Sequence, residues 1–223
     1  MKHAVLLWGS PKPASKSASY ALGLYLADRL RDRGVECEEF QATRAVKDDE
    51  SRAEFVGAVG RSELLICSAP LYFDSLPGPM TRALEVIRSA NLPPRNRRVT
   101  AISNSGFPEM QHNMTALRIV RLFTRECGFE WAGGLAMGMG AVISGPPLEK
   151  AGGMARNARK ALELAAAALS EGGSIPDEAT ELMAKKLMPA WVYRAFGNRG
   201  WRQTARRHGV EDDLLKRPYE HEG

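Results

Sequence analysis

Serine and lysine side chains are concentrated in one short segment near the amino terminus. Residues 9–19 read GSPKPASKSAS and directly follow 4–8, an apolar run of strand length. Serine hydroxyls can donate hydrogen bonds to phosphate oxygens, and the start of a following helix would add free N–H groups and a positive dipole. The side chains available for this are Ser10, Lys12, Ser15, Lys16 and Ser17. The segment predicts a phosphate site, with a serine-rich helix cap in a flexible loop as the alternative.

The spacing of this segment separates it from two better-known phosphate loops. It matches neither G-x-x-x-x-G-K-[ST] nor G-x-G-x-x-G. A nucleoside triphosphate site and a standard dinucleotide site are therefore both disfavoured.

Two further segments have compositions suited to a flat ring. Residues 68–79, SAPLYFDSLPGP, follow an apolar run, and their aromatic rings could flank a ring system while backbone groups reach its polar edge. Residues 104–109, NSGFPE, follow another apolar run, and their glycine allows close backbone approach. The candidate ligand contacts are Pro70, Leu71, Tyr72, Phe73, Asn104, Ser105 and Gly106. The alternatives are a rigid loop whose aromatics pack inward and a helix cap.

Strands and helices that could position these segments alternate along the chain. Strands are predicted at 4–8, 35–40, 64–69, 99–103 and within 129–137. Helices are predicted at 15–33, 51–60, 79–88, 109–127 and 154–169. Such alternation indicates a doubly wound α/β fold, a parallel sheet with helices on both faces. Since the carboxyl ends of parallel strands meet at one edge, the three segments are expected to lie together there.

Two of the predicted helices have buried faces that include a methionine. The fourth helix is expected to bury Met114, Leu117 and Val120. The last is expected to bury Met154 together with an alanine- and leucine-rich stripe.

Composition limits the class of protein. The 223 residues fit one domain with or without an appendage, and the net charge of +5 suits a phosphate-bearing ligand without requiring nucleic acid. The three cysteines are dispersed, which indicates reduced thiols, and no apolar run approaches the length of a membrane span. A cytoplasmic protein is expected. The histidines show no metal-ligand spacing, no compact cysteine cluster suggests an iron–sulfur centre, and no metal site is predicted.

The carboxyl-terminal part differs from the rest. Residues 172–176, GGSIP, suggest a hinge between a domain at 1–172 and a helical extension at 173–223. Seven basic and no acidic residues lie in 185–207, with tryptophan, tyrosine and phenylalanine interleaved. This mixture could bind a membrane surface, a nucleic acid or the 2′-phosphate of NADPH. The acidic run 211–213 that follows argues against a polyanionic partner. We expect the aromatics to pack on the core or on a second subunit, near the site entrance.

Taken in order, these segments resemble the flavodoxin-like NAD(P)H-dependent FMN reductases. The likeness rests on GSPK with the following SKS, on PLYF with LPGP, and on NSGFPE, and it covers about residues 3–170. It implies a five-stranded sheet of order 2-1-3-4-5, with FMN phosphate held by Ser10, Ser15 and Ser17. It places the isoalloxazine ring against 70–73 and 104–106. The family commonly has Ser or Thr with Asn in its first loop, and Lys16 departs from that pattern.

The expected function is that of an FMN-dependent oxidoreductase that passes a hydride from NAD(P)H to a quinone or another small acceptor. The flavin would carry the chemistry, so no catalytic side chain is required. The alternative is an electron carrier of the flavodoxin type that docks on protein partners. Such carriers are usually strongly acidic, whereas this chain is basic. A flavin-less interaction protein is a third reading, and the serines of the first loop count against it. A homo-oligomer without nucleic acid is expected.

Overall fold

A computed structural model describes residues 1–93, 96–143 and 145–216. Five parallel strands form one sheet in the order β2-β1-β3-β4-β5. They are β1 (His3–Trp8), β2 (Glu36–Gln41), β3 (Leu64–Pro70), β4 (Arg98–Asn104) and β5 (Glu130–Met137). The predicted fold class and strand order are confirmed.

The burial of each strand explains its place in the sheet. The strands β1, β3 and β4 are buried along almost their whole length, as expected for central strands covered on both faces. In contrast, β2 contains three glutamates, has no fully buried residue and lies at the edge. The short apolar runs at 4–8, 64–69 and 99–103 therefore lie next to one another, and so do the loops that follow them.

The described residues contain eight α-helices. They are α1 (Ala18–Arg31), α2 (Ala42–Ala45), α3 (Asp49–Arg61), α4 (Gly78–Ser89), α5 (Met114–Glu126), α6 (Arg156–Ser170), α7 (Asp177–Ala184) and α8 (Ala190–Arg207). One core cluster joins α1, α6 and α7 to one face of the sheet, and a second joins α3, α4 and α5 to the other. The sheet is therefore covered on both sides.

Both methionine predictions were wrong. The side chain of Met114 is 38% exposed, because 110–113 form a separate 3-10 turn and α5 begins only at Met114. Met154 is 44% exposed because it lies in a kinked 3-10 segment before α6. Both helices were predicted to begin too early, at 109 rather than Met114 and at 154 rather than Arg156.

The chain divides into two compact units, Met1–Leu187 and Met188–Gly223. Helix α7 packs on α6 and β5 within the first unit. The predicted extent of an FMN-binding domain, 1–172, stays a prediction.

In the second unit, α8 presents Trp191, Phe196 and Trp201 as exposed side chains. Arg206 of α8 pairs with Glu211 of the following 3-10 turn at 2.6 Å. That a core or partner surface covers these rings stays a prediction. None of the helices among the described residues has the length and apolar character that crossing a membrane requires.

Close packing of α1 on the sheet gives a first testable prediction. A Cβ atom at Gly23 would lie 2.7 Å from Leu6 Cδ1 and 2.9 Å from Ser68 Cβ. Although Gly→Ala in a helix contributes about 1 kcal/mol of propensity, overpacking costs about 1–3 kcal/mol. We expect Gly23→Ala to lower the free energy of unfolding in urea. The matched control is Gly57→Ala in α3, whose Cβ would meet only the flexible end of Arg61 at 3.4 Å and should be neutral or stabilising. Equal stability of the two variants would contradict this account of the packing.

Candidate functional site

A cleft of roughly 320 Å³ opens at the carboxyl edge of the sheet. Its walls come from the segments that follow β1, β3, β4 and β5. The lining residues are Ser10, Lys12, Lys16, Ser17, Ala18, Ser19, Pro70, Leu71, Tyr72, Asn104, Ser105, Gly106, Gly140, Ala141 and Ile143. All the residues predicted for the site are therefore brought together here, except Ser15 and Phe73. A cleft of this size is in the range of small-molecule and cofactor sites.

The amino terminus of α1 forms one end of the cleft. Ser17 is the N-cap, and its Oγ accepts a hydrogen bond from the backbone N–H of Tyr20 at 3.1 Å. The N–H groups of Ala18 and Ser19 occupy the first two helical positions, where no carbonyl of the same helix can pair with them. Both residues line the cleft, so this end of it combines unpaired N–H groups with the positive end of the helix dipole.

Hydroxyl groups beside that helix terminus retain hydrogens that can be donated. The Oγ of Ser10 accepts from the N–H of Lys12 at 3.2 Å, which leaves its own O–H free for another partner. The hydroxyls of Ser17 and Ser19 lie 3.2 Å apart, so one donates to the other and one hydrogen remains. Lys12 and Lys16 are exposed at the rim. This end of the cleft is suited to an anion with several oxygen atoms, such as a phosphate.

The helix terminus is held against the sheet by hydrogen bonds from β3. Ser68 Oγ donates to the carbonyl of Ser19 at 2.6 Å, and the carbonyl of Ser68 accepts from Gly9 N–H at 2.8 Å. On the other side of the first loop, Gln41 Nε2 donates to the carbonyl of Ser10 at 3.2 Å. The loop is therefore positioned from two neighbouring strands rather than only by its own sequence.

The side chain of Asn113 holds together the segments after β4 and β5, which form the floor of the cleft. It is fully buried, and its Oδ1 accepts from Ser103 Oγ at 2.9 Å. Its Nδ2 faces Ser105 Oγ at 3.1 Å and the carbonyls of Met137 and Met110 at 3.1 and 3.2 Å. One amide thus joins the ends of β4 and β5 to the 3-10 turn before α5. No sequence motif indicated this role.

Asn104 carries a buried polar atom that lacks a partner. Its side chain lines the cleft, and its Oδ1 has no hydrogen-bond partner within the described part of the chain. Its backbone carbonyl accepts from Leu71 N–H at 2.8 Å, which joins the two loops. Because an unpaired buried acceptor costs about 1–3 kcal/mol, this position is suited to a ligand that supplies a donor.

A fourth segment, after β5, was not predicted to contribute. Gly140, Ala141 and Ile143 line the cleft. A Cβ at Gly138 would lie 2.5 Å from the carbonyl oxygen of Pro108, and one at Gly140 would clash with Asn104 Nδ2. Glycines at the carboxyl end of the fifth predicted strand could have been read as a signal of close approach, as in the third segment.

The two predicted residues outside the lining have distinct positions. Ser15 lies in the 3-10 turn Ala14–Lys16, with its side chain exposed. Phe73 is also exposed, at the tip of a tight turn beyond Tyr72. Whether either contacts a cofactor stays a prediction.

The cysteines do not provide a reactive group at this site. Burial raises the pKa of the Cys67 thiol far above its usual range, and burial also raises that of Cys37 to about 11. Both therefore remain neutral thiols at physiological pH, and because the thiolate is the reactive form, these two cysteines are not nucleophiles. Across 1–93, 96–143 and 145–216, no group of three or more His, Cys, Asp or Glu side chains could hold a metal ion.

Comparison with solved structures identifies the architecture. The chain is similar to a flavodoxin, WrbA-like protein from Agrobacterium tumefaciens, with TM-score 0.51 and 11% identity over 78% of this chain and 100% of that one. It is also similar to an FMN-dependent NADH-azoreductase from Bacillus anthracis in complex with FMN, with TM-score 0.52 and 12% identity over 76% and 100% of the chains. An NADH:FMN oxidoreductase in its apo form gives TM-score 0.52 and 17% identity over 74% and 89%.

These similarities establish a shared flavodoxin-like fold, in agreement with the resemblance found in the sequence. No protein-family model matches the sequence, and no curated protein matches it either.

The dependence of the cleft on Asn113 can be tested by stability measurements. Asn113→Ala should lower the free energy of unfolding by about 2–4 kcal/mol, because it leaves several buried groups without partners. Gln111→Ala, an exposed neighbour in the same turn, should change it by no more than about 0.5 kcal/mol. Chemical denaturation measures the free energy of unfolding of both variants. A loss for Asn113→Ala no larger than that of the control would show that the network contributes little.

Proposed function

We propose that the cleft binds FMN and that the protein is an NAD(P)H-dependent flavin oxidoreductase. The observation that carries the proposal is the pairing of two features in one cleft. At one end, the amino terminus of α1 and the hydroxyls of Ser10, Ser17 and Ser19 suit a phosphate. On the floor, the unpaired Oδ1 of Asn104 suits a donor such as a ring N–H.

The residues present fit this cofactor at both of its ends. A phosphate monoester has oxygens enough to accept from the N–H groups of Ala18 and Ser19 and from the serine hydroxyls together. The ring system would lie against 70–73 and 104–106, where Tyr72 and Leu71 supply apolar surface and Asn104 supplies an acceptor. Lys12 and Lys16 add positive charge near the phosphate end.

When bound, FMN supplies hydride and electron transfer, chemistry that no side chain of the chain can perform. The part of the protein is to bind and orient it. The Asn113 network keeps the third and fourth segments in place, so the polar atoms of the floor are positioned before a ligand arrives. No general acid or base is required for reduction by NAD(P)H.

The solved structures with a similar fold support this choice of chemistry. Two of the solved structures similar to this chain are described as an FMN-dependent NADH-azoreductase and an NADH:FMN oxidoreductase. We extend the description to this chain because its cleft has the phosphate end and the polar floor that such a cofactor requires. A quinone or another small electrophile is the proposed acceptor, and a cytoplasmic homo-oligomer is the proposed form of the protein.

An electron carrier is the second candidate, because a carrier would have the same cofactor cleft. The net charge of +5 favours the enzyme, since flavodoxin-type carriers are usually acidic. Reduction by a nicotinamide separates the two.

Calorimetric titration tests the cofactor. FMN should bind at least about 100-fold more tightly than riboflavin, because hydrogen bonds to a charged group contribute about 1.5–3 kcal/mol each. Ser10→Ala should weaken FMN by about 10-fold or more and leave riboflavin binding unchanged. Ser174→Ala is the control, an exposed serine before α7 that lies outside the cleft lining. Riboflavin binding as tight as that of FMN would refute the phosphate site.

Stopped-flow spectroscopy under anaerobic conditions tests the reaction. An NAD(P)H-dependent enzyme should lose its flavin absorbance near 450 nm on mixing with NADPH or NADH, and steady-state kinetics with a quinone should be ping-pong. Ser10→Ala reconstituted with saturating FMN should retain the reaction, because the phosphate end takes no part in it. If neither nicotinamide bleaches the flavin, the protein is a carrier and the enzyme assignment is wrong.

A further inference from the structure

A groove of roughly 520 Å³ lies between α5 and the start of the edge strand β5. None of the residues that line it also lines the cofactor cleft. The lining includes four side chains of α5 and two aromatic side chains at the start of β5, namely Arg118, Arg121, Leu122, Arg125, Phe129 and Trp131. The groove is therefore a separate site from the one proposed for the flavin.

One wall of the groove is an arginine stripe on α5, formed by Arg118, Arg121 and Arg125. These positions are three and four residues apart, so they lie on one side of the helix together with Leu122. All three arginine side chains are exposed, and Leu122 is 50% exposed. Within the described part of the chain, no carboxylate forms an ion pair with Arg118 or Arg121, and Arg125 lies 3.5 Å from its neighbour Glu126. The stripe therefore leaves positive charge at the groove.

The other wall is aromatic, and packing fixes its rings in position. The ring of Phe129 meets that of Phe123 edge to face at 6.1 Å, and the guanidinium of the buried Arg97 lies 4.8 Å from the Phe129 centroid. A Cβ atom at Gly134 would lie 3.1 Å from Trp131 Cζ2, so the indole packs closely on backbone that has no side chain. Phe129 and Trp131 are half-buried, so both keep some surface open to a ligand. The charge of Arg97 adds to the positive potential beside this wall.

The two walls together define the chemistry of an occupant. No Asp or Glu is among the described residues that line the groove. A guanidinium forms paired hydrogen bonds to a carboxylate, and an aromatic surface accepts a large apolar side chain. Arginine and tryptophan are also enriched among the residues that contribute most to binding between proteins. A peptide segment with carboxylates on either side of an apolar residue would therefore satisfy both walls.

The same features disfavour two other occupants. In a two-fold dimer a surface faces its own copy, so the arginine stripe of one protomer would meet that of its partner, and like charges would repel. A flat anionic bilayer could contact the exposed stripe, but a groove between a helix and a strand is concave, so its half-buried rings would stay out of reach. A chain segment can enter such a groove.

We propose that this groove binds an acidic peptide segment of another protein. A large apolar side chain of the segment packs on Phe129 and Trp131, and its carboxylates pair with the arginine stripe. The inference goes beyond the proposed function and does not rest on it, because the groove shares no lining residue with the cofactor cleft. A partner bound here would leave the cleft open.

Titration of the nitrogen-15-labelled full-length protein with designed peptides, followed by nuclear magnetic resonance, tests this chemistry. The probes are the end-blocked peptides EEFLEE, KKFLKK and EEGGEE. EEFLEE should bind with a dissociation constant below about 1 mM and shift the amide signals of α5 and the indole signal of Trp131. KKFLKK should not bind, and EEGGEE, which lacks the apolar side chains, should bind at least about 5-fold more weakly. Because salt screens the charges, binding of EEFLEE should weaken between about 20 and about 200 mM NaCl.

Variants with the same change in charge test where the peptide binds. Arg121→Ala should weaken EEFLEE binding by about 5- to 10-fold, and Arg121→Lys should weaken it less, because lysine keeps the charge but cannot form the paired hydrogen bonds. Arg82→Ala is the matched control, an exposed arginine of α4 that pairs with Glu85 and lies outside the groove. It should bind EEFLEE as the wild type does.

Leu122→Ser tests the apolar part of the contact without a change in charge. It should weaken EEFLEE binding by about 3-fold or more and leave the weaker binding of EEGGEE unchanged, because EEGGEE has no apolar side chain to lose a contact. The urea midpoint of unfolding should be the same in all of these variants as in the wild type, since each altered side chain is exposed. A changed affinity then reflects a lost contact and not a damaged fold.

Several results would overturn the proposal. It is wrong if EEFLEE leaves the α5 signals unshifted at millimolar concentration, if KKFLKK binds equally well, or if Arg82→Ala weakens binding as much as Arg121→Ala does. A dimer in light scattering that Arg121→Glu dissociates would show that a second copy occupies the groove. Sedimentation with phosphatidylglycerol vesicles that requires Arg121, without binding of EEFLEE, would show that the stripe recognises lipid phosphate instead. None of these results bears on FMN binding, so the proposed function would stand or fall separately.

Discussion

The candidate site depends on a single buried amide. Asn113 has no exposed surface, and its side chain bonds to the ends of both β4 and β5. Parallel strands need no direct connection at their carboxyl ends, so the loops that follow them are free to diverge unless something joins them. The amide supplies that join, and the joined segments form part of the wall of the cleft.

The opposite side of the cleft depends on close packing rather than on a polar network. Helix α1 lies so near the sheet at Gly23 that no side chain fits between them, and Ser68 bonds directly to the helix backbone at Ser19. These contacts fix the position of the amino terminus of α1 relative to the carboxyl ends of the strands. A phosphate bound to unpaired N–H groups requires this, because hydrogen bonds lose strength steeply with distance and angle.

The two ends of the cleft thus differ in the contacts that hold them in place and in the ligand groups that they can bind. The first loop offers hydroxyls, N–H groups and two exposed lysines, which favour negative charge. The floor offers the apolar surface of Leu71 and Tyr72 and one unpaired acceptor, Asn104 Oδ1. An elongated ligand with a charged end and a flat end fits this division.

Much of this could be predicted from the sequence, for a definable reason. Apolar runs such as 4–8 and 64–69 specify buried strands, and their alternation with helical stripes determines a parallel sheet, so the three loops had to meet at one edge. Local chemistry, serines before a helix and aromatics after a strand, then indicated which edge residues could bind. These features depend only on neighbours in the chain.

The remainder was decided by contacts between residues far apart in sequence. The role of Asn113 requires β4 and β5 to lie side by side, and the contribution of Gly140 requires the segment after β5 to fold back over Asn104. Leu71 is half-buried and Phe73 is fully exposed because of a turn with left-handed backbone angles, which no glycine in the sequence indicated. Side-chain periodicity also could not show where α5 begins, because the preceding 3-10 turn has nearly the same repeat. Sequence patterns set the order of the elements, whereas the direction in which each loop side chain points is determined by long-range packing and hydrogen bonding.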